Sequence, residues 1–241
     1  MTSTSAPVLV VLGVGPGLGL SVAHRFGTAG YRVALISRSP QRHSSYLASL
    51  GDKGIEAAAF VADASRPDQL RTAIDAVRAR FGRIDVGYYG PAAFETAPTD
   101  DIADLDAAGA KSALDTVVPA VDFASQLLPE MRQRGSGGLL FAGGLSSVVP
   151  MPALGGLALA AAALRNYALT LHAALAPAGI YAGTLTIGGL IERGDIHRAM
   201  ADSEQFAGIA IHTLNPDDLA ERVWQLYTDR TDAEAVVNVI A

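Results

Sequence analysis

The sequence contains no cysteine, and its five histidines are widely dispersed. The absence of cysteine excludes a disulfide framework, thiolate catalysis and thiolate-ligated metal. The histidines form neither an H-x-x-x-H nor an H-E-x-x-H pattern, although such spacings are what bring two imidazoles to one metal ion. We therefore predict no metal site.

Positive charge is also scarce. Lys and Arg together number 18 against 24 Asp and Glu, which gives a formal net charge of -6, and the basic residues are scattered along the chain. A nucleic-acid-binding surface needs a cationic stripe that displaces counterions from phosphates. The sequence therefore predicts no nucleic-acid partner. The sequence has only two lysines, Lys53 and Lys111, so any reaction that needs a lysine ammonium group would have to use one of them.

Residues 1–7 are small and polar, without the basic start or cleavage signature of a secretory signal. The apolar run that follows, Val8–Leu12, is far too short to span a bilayer. We expect residues 1–7 to form a flexible tail, the protein to be cytoplasmic, and no membrane to be a partner.

Nothing in the sequence marks a boundary between domains, since it has no charge block, no low-complexity tract and no repeat of fixed period. Half of the residues are hydrophobic and 17% are charged, so the chain carries enough apolar material for one sizeable core. We predict a single domain over residues 8–241.

Short apolar runs alternate with segments of helical periodicity along the chain. Strands are predicted at 8–12, 31–36, 57–61, 84–89, 138–142, 181–187 and 235–240. Helices are predicted at 20–30, 41–50, 67–81, 102–134, 154–176 and 216–227. This alternation predicts one doubly wound α/β domain with a mostly parallel sheet of about seven strands. Ligands of such sheets bind beyond the carboxyl ends of the strands, where the strand order switches.

The first predicted strand runs into a cluster of four glycines, Gly13, Gly15, Gly17 and Gly19, with Leu18 between the last two. A diphosphate can approach backbone N–H groups closely only where no side chain blocks it, and a helix N-terminus adds favourable partial charge. Glycine at these positions serves both needs. The alternative is a tight strand-to-helix turn that binds no ligand.

The spacing of Gly13, Gly17 and Gly19 is G-x-x-x-G-x-G, and the chain resembles the short-chain dehydrogenase/reductase family over nearly its whole length. The resemblance implies a Rossmann-type fold, an NAD(P)(H)-dependent oxidoreductase, and a homodimer or homotetramer built by two long helices. The chain departs from the family pattern at Leu12, where a threonine usually precedes the first glycine.

The second strand ends in Ser37-Arg38, and residues 31–39 include no acidic residue that could accept hydrogen bonds from a free ribose 2′-hydroxyl. The planar fork of an arginine can instead hold a 2′-phosphate. This pair favours NADP(H) over NAD(H). The alternative is a surface arginine that follows a strand.

The resemblance implies further cofactor contacts at the ends of later strands. Asp63 and Ala64 stand where the family borders the adenine, and Gly90 stands in a segment that replaces the family's Asn-Asn-Ala-Gly. Gly188 stands where a Pro-Gly segment usually passes the nicotinamide carboxamide. Residues 192–205 correspond to the substrate lid.

The family's reaction needs a tyrosine and, four residues later on one helix, a lysine that lowers the tyrosine pKa. In this chain the two positions hold Leu157 and Ala161. The loss does not depend on the alignment, because no tyrosine in the sequence is followed by lysine at i+4. The apolar face that results predicts a small and hydrophobic substrate or ligand.

The catalytic residues are therefore left unassigned. The family's serine position falls near residues 144–145, so Ser146 or Ser147 could replace it or could satisfy only the local backbone. Thr116 stands near the family's asparagine. Tyr89 could act at the cleft or could be a packing residue.

Three interpretations stay open. The first is an atypical oxidoreductase with altered or weakened carbonyl or alcohol chemistry. The second is a redox-silent homologue that acts as a nucleotide sensor or a partner subunit. The third is a cofactor-independent cyclase, isomerase or dehydratase on the same scaffold.

Overall fold

The computed structural model describes residues 6–91, 101–201 and 212–240, with the backbone alone at 200 and 201. Nine strands are found in these residues: β1 Val8–Leu12, β2 Arg32–Ser37, β3 Ala57–Val61, β4 Val86–Tyr89, β5 Gly137–Gly144, β6 Ile180–Gly188, β7 Leu190–Ile191, β8 Thr213–Leu214 and β9 Glu234–Asn238. Eight α-helices are found in the same ranges: α1 Leu18–Thr28, α2 His43–Gly51, α3 Pro67–Phe81, α4 Ala107–Asp115, α5 Val118–Arg134, α6 Gly155–Leu175, α7 Asp195–Ala201 and α8 Pro216–Asp229.

Seven of the strands form one sheet in the order β3-β2-β1-β4-β5-β6-β9, and every neighbouring pair is parallel. The predicted doubly wound α/β fold with about seven strands is confirmed. The strand order reverses between β1 and β4, which is the topological switch point of the sheet. Leu12 pairs with Ile36 of β2 and with Tyr89 of β4, so these three strands end level with one another.

Strand β1 is buried on both faces because every one of its residues is apolar. Val8, Val10 and Leu12 face a core built with α3, α5 and α6. Leu9 and Val11 face a second core built with α1, α2 and α8. Side chains alternate between the faces of a strand, so a run without polar residues is what a doubly covered parallel strand requires.

Helix α1 packs against α8 through aromatic rings and an ion pair. The Phe26 ring meets the Trp224 ring edge-on, with the centroids 4.9 Å apart. Arg25 lies over the same indole, 4.3 Å from its centroid, and forms an ion pair with Glu221. The first and last long helices of the chain therefore cover one face of the sheet together.

The prediction of one continuous helix at 102–134 is wrong, because the segment is divided into three elements. A 3₁₀ turn at Ile102–Asp104 is followed by α4 and then by α5. The Asp106 side chain accepts a hydrogen bond from Gly109 N at 2.7 Å and so caps the start of α4. Pro119 lies in the first turn of α5, a position where its missing N–H costs nothing.

Smaller departures from the prediction have local causes. Arg66 is the N-cap residue of α3, and the Ser65 hydroxyl before it donates to Asp63 at 2.7 Å. Strands β7 and β8 and helix α7 were not predicted. The expected tail falls mostly outside the described residues; of its last two residues, Ala6 accepts a hydrogen bond from the Arg32 guanidinium at 2.8 Å.

Helix α6 with its flanking turns, Pro152–Ala178, is the one described helix that is long and apolar enough by length and composition to cross a membrane, with a mean hydropathy of 1.3. It packs along β5 and β6, and Leu164, Tyr167 and Leu171 lie against the core. A core helix of a globular protein meets the same criterion, so this helix alone is weak evidence for a membrane span.

Candidate functional site

The glycine turn lies at the carboxyl edge of the sheet and is tied to both strands that flank β1. The N–H groups of Gly13 and Val14 donate to the Ile36 carbonyl at 2.9 and 3.1 Å. Gly90 N donates to the Leu12 carbonyl at 2.9 Å. The turn therefore stands at the switch point, where ligands of this class of sheet bind.

Two of the glycines are required by packing within the chain. Gly13 has φ +82°, and a side chain there would come within 2.6 Å of the Pro91 nitrogen. A Cβ at Gly19 would lie 3.0 Å from Val14 Cα. Gly90 is also closed, because a Cβ would lie 2.6 Å from the Tyr88 ring.

Gly15 is different, because it leaves its backbone open, whereas Gly17 at the start of α1 is buried. A Cβ at Gly15 would meet no atom within 4 Å. Gly17 is the N-cap residue of α1 and supplies no side-chain cap, and the Leu20 N–H donates to the Gly15 carbonyl at 3.1 Å, so the Leu18 and Gly19 N–H groups are the ones that lack a side-chain acceptor there. Open backbone beside an uncapped helix N-terminus is the arrangement that an anionic phosphate needs.

A later segment covers one side of this turn. A Cβ at Gly17 would lie 3.2 Å from the Glu192 carbonyl oxygen and from Gly194. Arg193, with φ +65°, donates to Ser21 Oγ at 3.2 Å and pairs with an Asp217 oxygen at 2.8 Å. The cover is therefore tethered to α1 and α8. Sequence reasoning missed this contact.

The ends of β2 and β3 lie at the same edge of the sheet as the glycine turn. Ser37 pairs with Val61, so the two strands end level. Ser37 Oγ donates to the Ser39 carbonyl at 3.0 Å and lies 2.8 Å from Nε2 of the buried His43. Burial lowers the pKa of His43, so its imidazole is neutral near pH 7. Sequence reasoning did not single out His43.

Asp63 follows β3 at the same edge. Its carboxylate accepts hydrogen bonds from the Ser65 hydroxyl and N–H at 2.7 and 2.9 Å, and these bonds lower the pKa of Asp63. The positive charge of Arg38 lowers it further, which means that the two side chains interact electrostatically. Ala64, next to Asp63, packs partly against the core.

Gly188 ends β6, and its lack of a side chain is explained by packing, since a Cβ there would lie 2.5 Å from the Asn238 amide oxygen and 2.6 Å from Leu145. Among the residues that the structure describes, no group of three or more His, Asp or Glu side chains could hold a metal ion.

The candidate substrate cleft lies beside the start of α6. It is a hollow of about 180 Å³ lined by Ile102, Ser146, Pro150, Met151, Pro152 and Ala158. Ser146 is the one hydroxyl-bearing residue among the lining residues that the structure describes. The neighbouring Ser147 donates instead to the Gly144 carbonyl at 2.7 Å, so its hydroxyl is used within the local turn. Leu157 and Ala161 lie partly buried on the same helix as Ala158.

Tyr89 and Thr116 are placed where packing accounts for them. Tyr89 is 4% exposed, and its ring lies 6.3 Å from those of both Phe123 and Phe141. Burial raises the pKa of Tyr89 well above its usual range, which disfavours a role in proton transfer. The Thr116 hydroxyl donates to the Ala113 carbonyl at 2.7 Å and closes the end of α4.

A parallel sheet of seven strands with a glycine turn beyond the carboxyl end of β1 defines the doubly wound class of nucleotide-binding α/β proteins. Within that class, the short chain dehydrogenase family matches residues 7–205. The chain therefore belongs to the short-chain dehydrogenase/reductase family, and the resemblance stated above is confirmed at the level of the family.

Curated relatives are similar over part of their length. A D-threitol dehydrogenase of Mycolicibacterium smegmatis is 30% identical over 96 residues, 39% of this chain and 36% of the relative. The (2S)-[(R)-hydroxy(phenyl)methyl]succinyl-CoA dehydrogenase subunit BbsC of Thauera aromatica is 28% identical over 137 residues, 56% of this chain and 53% of the relative. The chain thus spans about a third to a half of the length of these relatives.

Solved structures match the whole fold. A variant of actinorhodin polyketide ketoreductase with NADPH aligns with a TM-score of 0.82 and 19% identity, covering 99% of this chain and 97% of that one. An L-sorbose reductase from Gluconobacter frateurii complexed with NADPH and L-sorbose gives 0.78 and 22%, covering 97% and 95%. A short-chain oxidoreductase from Pseudomonas aeruginosa PAO1 containing an atypical catalytic center gives 0.81 and 19%, covering 96% and 95%. At these identities the likeness shows the fold.

Proposed function

We propose that this chain is an NADP(H)-dependent oxidoreductase whose carbonyl or alcohol chemistry is altered or weakened. The observation that carries the proposal is the open backbone of Gly15 beside the uncapped N-terminus of α1, at the switch point of the sheet. Similar folds are solved with NADPH or NADP, which supports the choice of nucleotide.

The residues of this edge fit such a nucleotide. The backbone from Gly13 to Gly19 and the first turn of α1 would hold the diphosphate. Ser37 and Arg38 would hold the 2′-phosphate, and Asp63 with Ala64 would border the adenine. Gly90 and Gly188 stand at the ends of β4 and β6, where the nicotinamide half would pass. When bound, the nicotinamide supplies the hydride donor or acceptor.

We propose a small, uncharged and apolar substrate for the cleft. Among the described residues, its lining carries no ionisable side chain, so a charged substrate group would lose hydration there without gaining a partner from them. Ser146 would donate one hydrogen bond to the substrate oxygen and fix its position. Leu157 and Ala161 offer no hydroxyl and no ammonium, so the proton must come from water. The loss of a positioned acid costs roughly 10² to 10⁴ in rate.

The same two side chains favour a second candidate function. A chain with a phosphate-binding turn and no proton relay could act as a redox-silent nucleotide sensor or a partner subunit. The third interpretation, a cofactor-independent cyclase, isomerase or dehydratase, would use the apolar cleft without the glycine turn. Titration with nucleotide separates the third from the other two, and turnover separates the first from the second.

The remaining expectations are part of the proposal. We propose one NADP-binding domain over residues 8–241, a cytoplasmic location, and a homodimer or homotetramer. Exposed apolar side chains on α4 and α5 support helix-mediated association: Leu114, Val118 and Val121 are 43%, 57% and 41% exposed.

The test is a titration of the purified protein with NADPH and separately with NADH, followed by nucleotide fluorescence and the thermal midpoint. We expect saturable binding of NADPH, weakened about tenfold or more by Arg38→Ala because a charge-assisted phosphate contact is lost. Arg71→Ala is the matched control, because it removes the same charge from an exposed position on α3. Absence of any response to either nucleotide at millimolar concentration would overturn the proposal.

A further inference from the structure

We infer that His43 is a specificity-determining residue that positions the Ser37 hydroxyl for the adenosine 2′-phosphate. The inference rests on the proposed function, since it assigns a role at the nucleotide site. It concerns a residue that does not itself touch the phosphate and acts through its neighbour.

The geometry begins with the place of Ser37. It is the last residue of β2 and directly follows Ile36. The Ile36 carbonyl accepts hydrogen bonds from the N–H groups of Gly13 and Val14. The Ser37 side chain therefore stands beside the glycine turn and next to Arg38 in sequence. A nucleotide with its diphosphate on the turn would bring its adenosine ribose to the end of this strand.

His43 reaches back to Ser37 from the first position of α2. Its Nε2 lies 2.8 Å from Ser37 Oγ, and the residue is 8% exposed. The turn between them is closed by two more hydrogen bonds, from His43 N to the Pro40 carbonyl at 3.0 Å and from Gln41 N to Ser39 Oγ at 3.3 Å. The imidazole is thus held in one place by a short, bonded loop.

One arrangement of protons makes both contacts of Ser37 Oγ hydrogen bonds. A serine hydroxyl has one hydrogen, and that of Ser37 is donated to the Ser39 carbonyl at 3.0 Å. His43 must then carry its hydrogen on Nε2 and donate it to Ser37 Oγ. The hydroxyl hydrogen stays available, because it can rotate from the carbonyl to a phosphate oxygen without breaking the bond from His43.

This arrangement makes Ser37 a donor toward the nucleotide. A phosphate accepts hydrogen bonds and donates none when it is fully ionised, whereas a free ribose hydroxyl can do both. A Ser37 hydroxyl that is held as a donor makes a charge-assisted hydrogen bond to the phosphate and only an ordinary one to a ribose hydroxyl, so it favours the phosphate. Without His43, the Ser37 hydroxyl could rotate and accept from a ribose hydroxyl equally well.

The experiment compares His43→Leu, which removes the donor, with His43→Gln, whose amide nitrogen can return it. Dissociation constants are measured for NADPH and NADH by fluorescence, and for the fragments 2′,5′-ADP and 5′-AMP by calorimetry. The matched control is His24→Leu, because His24 Nε2 makes an equivalent contact with Ser49 Oγ at 2.9 Å between α1 and α2. Thermal midpoints are recorded for every variant.

We expect His43→Leu to weaken NADPH and 2′,5′-ADP about fivefold to tenfold, and NADH and 5′-AMP by less than about twofold, because one charge-assisted hydrogen bond is misdirected. His43→Gln should recover most of the loss, and His24→Leu should leave the NADPH to NADH ratio unchanged. In a Ser37→Ala background, His43→Leu should add no further loss, because its effect passes through Ser37.

An equal loss for NADPH and NADH, a failure of glutamine to restore the ratio, or a full effect of His43→Leu on top of Ser37→Ala would each overturn the role of His43. If the wild-type protein prefers NADPH and His43→Leu keeps that preference, this inference alone fails. If the wild-type protein binds neither nucleotide, the proposed function fails and the role of His43 fails with it.

Discussion

The proposed lack of a proton relay rests on the side chains at positions 157 and 161. Both lie on α6, one turn apart, with Ala158 in the cleft lining. Neither can give or take a proton. The helix itself is formed, and what the two positions lack is a side chain with an ionisable group.

Replacing both residues should therefore restore a relay. We expect Leu157→Tyr combined with Ala161→Lys to raise NADPH-dependent reduction of a small apolar ketone by about 10² or more, because a tyrosine with a lowered pKa again donates to the carbonyl oxygen. The rate is followed by the loss of NADPH absorbance. The control is Leu157→Phe with Ala161→Met, which adds similar bulk and no ionisable group, and a gain in the control as well would contradict the explanation.

A second residue-scale prediction concerns the partly buried Glu234, which accepts hydrogen bonds from Arg165 Nε at 2.7 Å and Thr186 Oγ1 at 2.6 Å. The Arg165 contact, aided by Thr186, lowers the pKa of Glu234. Its stabilisation is then present above the carboxyl's ordinary pKa and is lost as pH falls through the lowered one. We expect Glu234→Gln to cost about 2 kcal/mol of unfolding free energy at pH 7.

Urea denaturation of the wild type and the variant at pH 7 and at pH 3 tests this expectation. The difference should shrink at the lower pH, because the carboxyl of the unfolded chain is protonated below its ordinary pKa and part of the ion pair's contribution is then lost. Glu56→Gln is the control, since its pair with Arg80 is about half exposed and should contribute less than about 1 kcal/mol. A difference that does not change with pH would contradict the assignment to the ion pair.

The pattern of apolar and polar residues along the sequence could predict at which edge of the sheet the candidate residues lie. It could not predict which distant residues pack around them. Gly13 and Asp63 follow strands and Ser37 ends one, and parallel strands end at one edge, so their placement follows from the alternation of elements. Tyr89 also ends a strand, but Phe123 and Phe141 enclose it, and those contacts join segments far apart in sequence. The cover of Gly17 by Glu192 and Gly194 was missed for the same reason.

At the scale of the element, the glycines of the turn serve two different purposes: one is needed for packing, and another leaves the backbone open. Gly13 is enclosed by the chain itself and has positive φ, whereas Gly15 faces open space. Gly13→Ala should destabilise the fold by about 2 kcal/mol or more, because a methyl group would strike Pro91 and the backbone would be strained. Gly15→Ala should change the unfolding free energy by less than about 0.5 kcal/mol.

Gly15→Ala should nevertheless weaken NADPH, because its methyl group would occupy the space through which a diphosphate approaches the backbone. Thermal midpoints and fluorescence titration of the variant measure the two effects. Binding that is unchanged by Gly15→Ala would favour a turn that serves packing alone.

The boundaries of helices and strands were predictable where the segment was long enough to show a full hydrophobic period. The strands of the large sheet and the long α6 carry such patterns, and they were found close to their observed limits. The break between α4 and α5 was missed, because Leu114, Val118 and Phe123 continue an apolar pattern across it. Strands β7 and β8, of two residues each, are too short to show a period.

At the scale of the whole molecule, the apolar surface on α4 and α5 bears on assembly. Val118 is 57% exposed. An apolar side chain that lies at an interface between two copies is exposed in this way when one copy is considered alone. We expect Val118→Glu to shift the protein toward the monomer, because a carboxylate would be buried without a partner. Size-exclusion chromatography with light scattering measures the mass.

The control is Val61→Glu, at a residue 53% exposed on β3, on a different edge of the molecule. It should leave the mass unchanged. A wild-type protein that is monomeric at micromolar concentration, or equal effects of the two substitutions, would contradict association through α4 and α5.

The packing of α1 against α8 bears on the order in which the chain becomes compact. Ser21 and Asp217, which share a hydrogen bond of 2.7 Å, lie 196 residues apart. During synthesis the apolar stripe of α1, with Phe26 at its centre, therefore leaves the ribosome long before Trp224 exists to cover it. A nascent chain with such a stripe depends on temporary shielding, and its folding is slowed by the loop that must close.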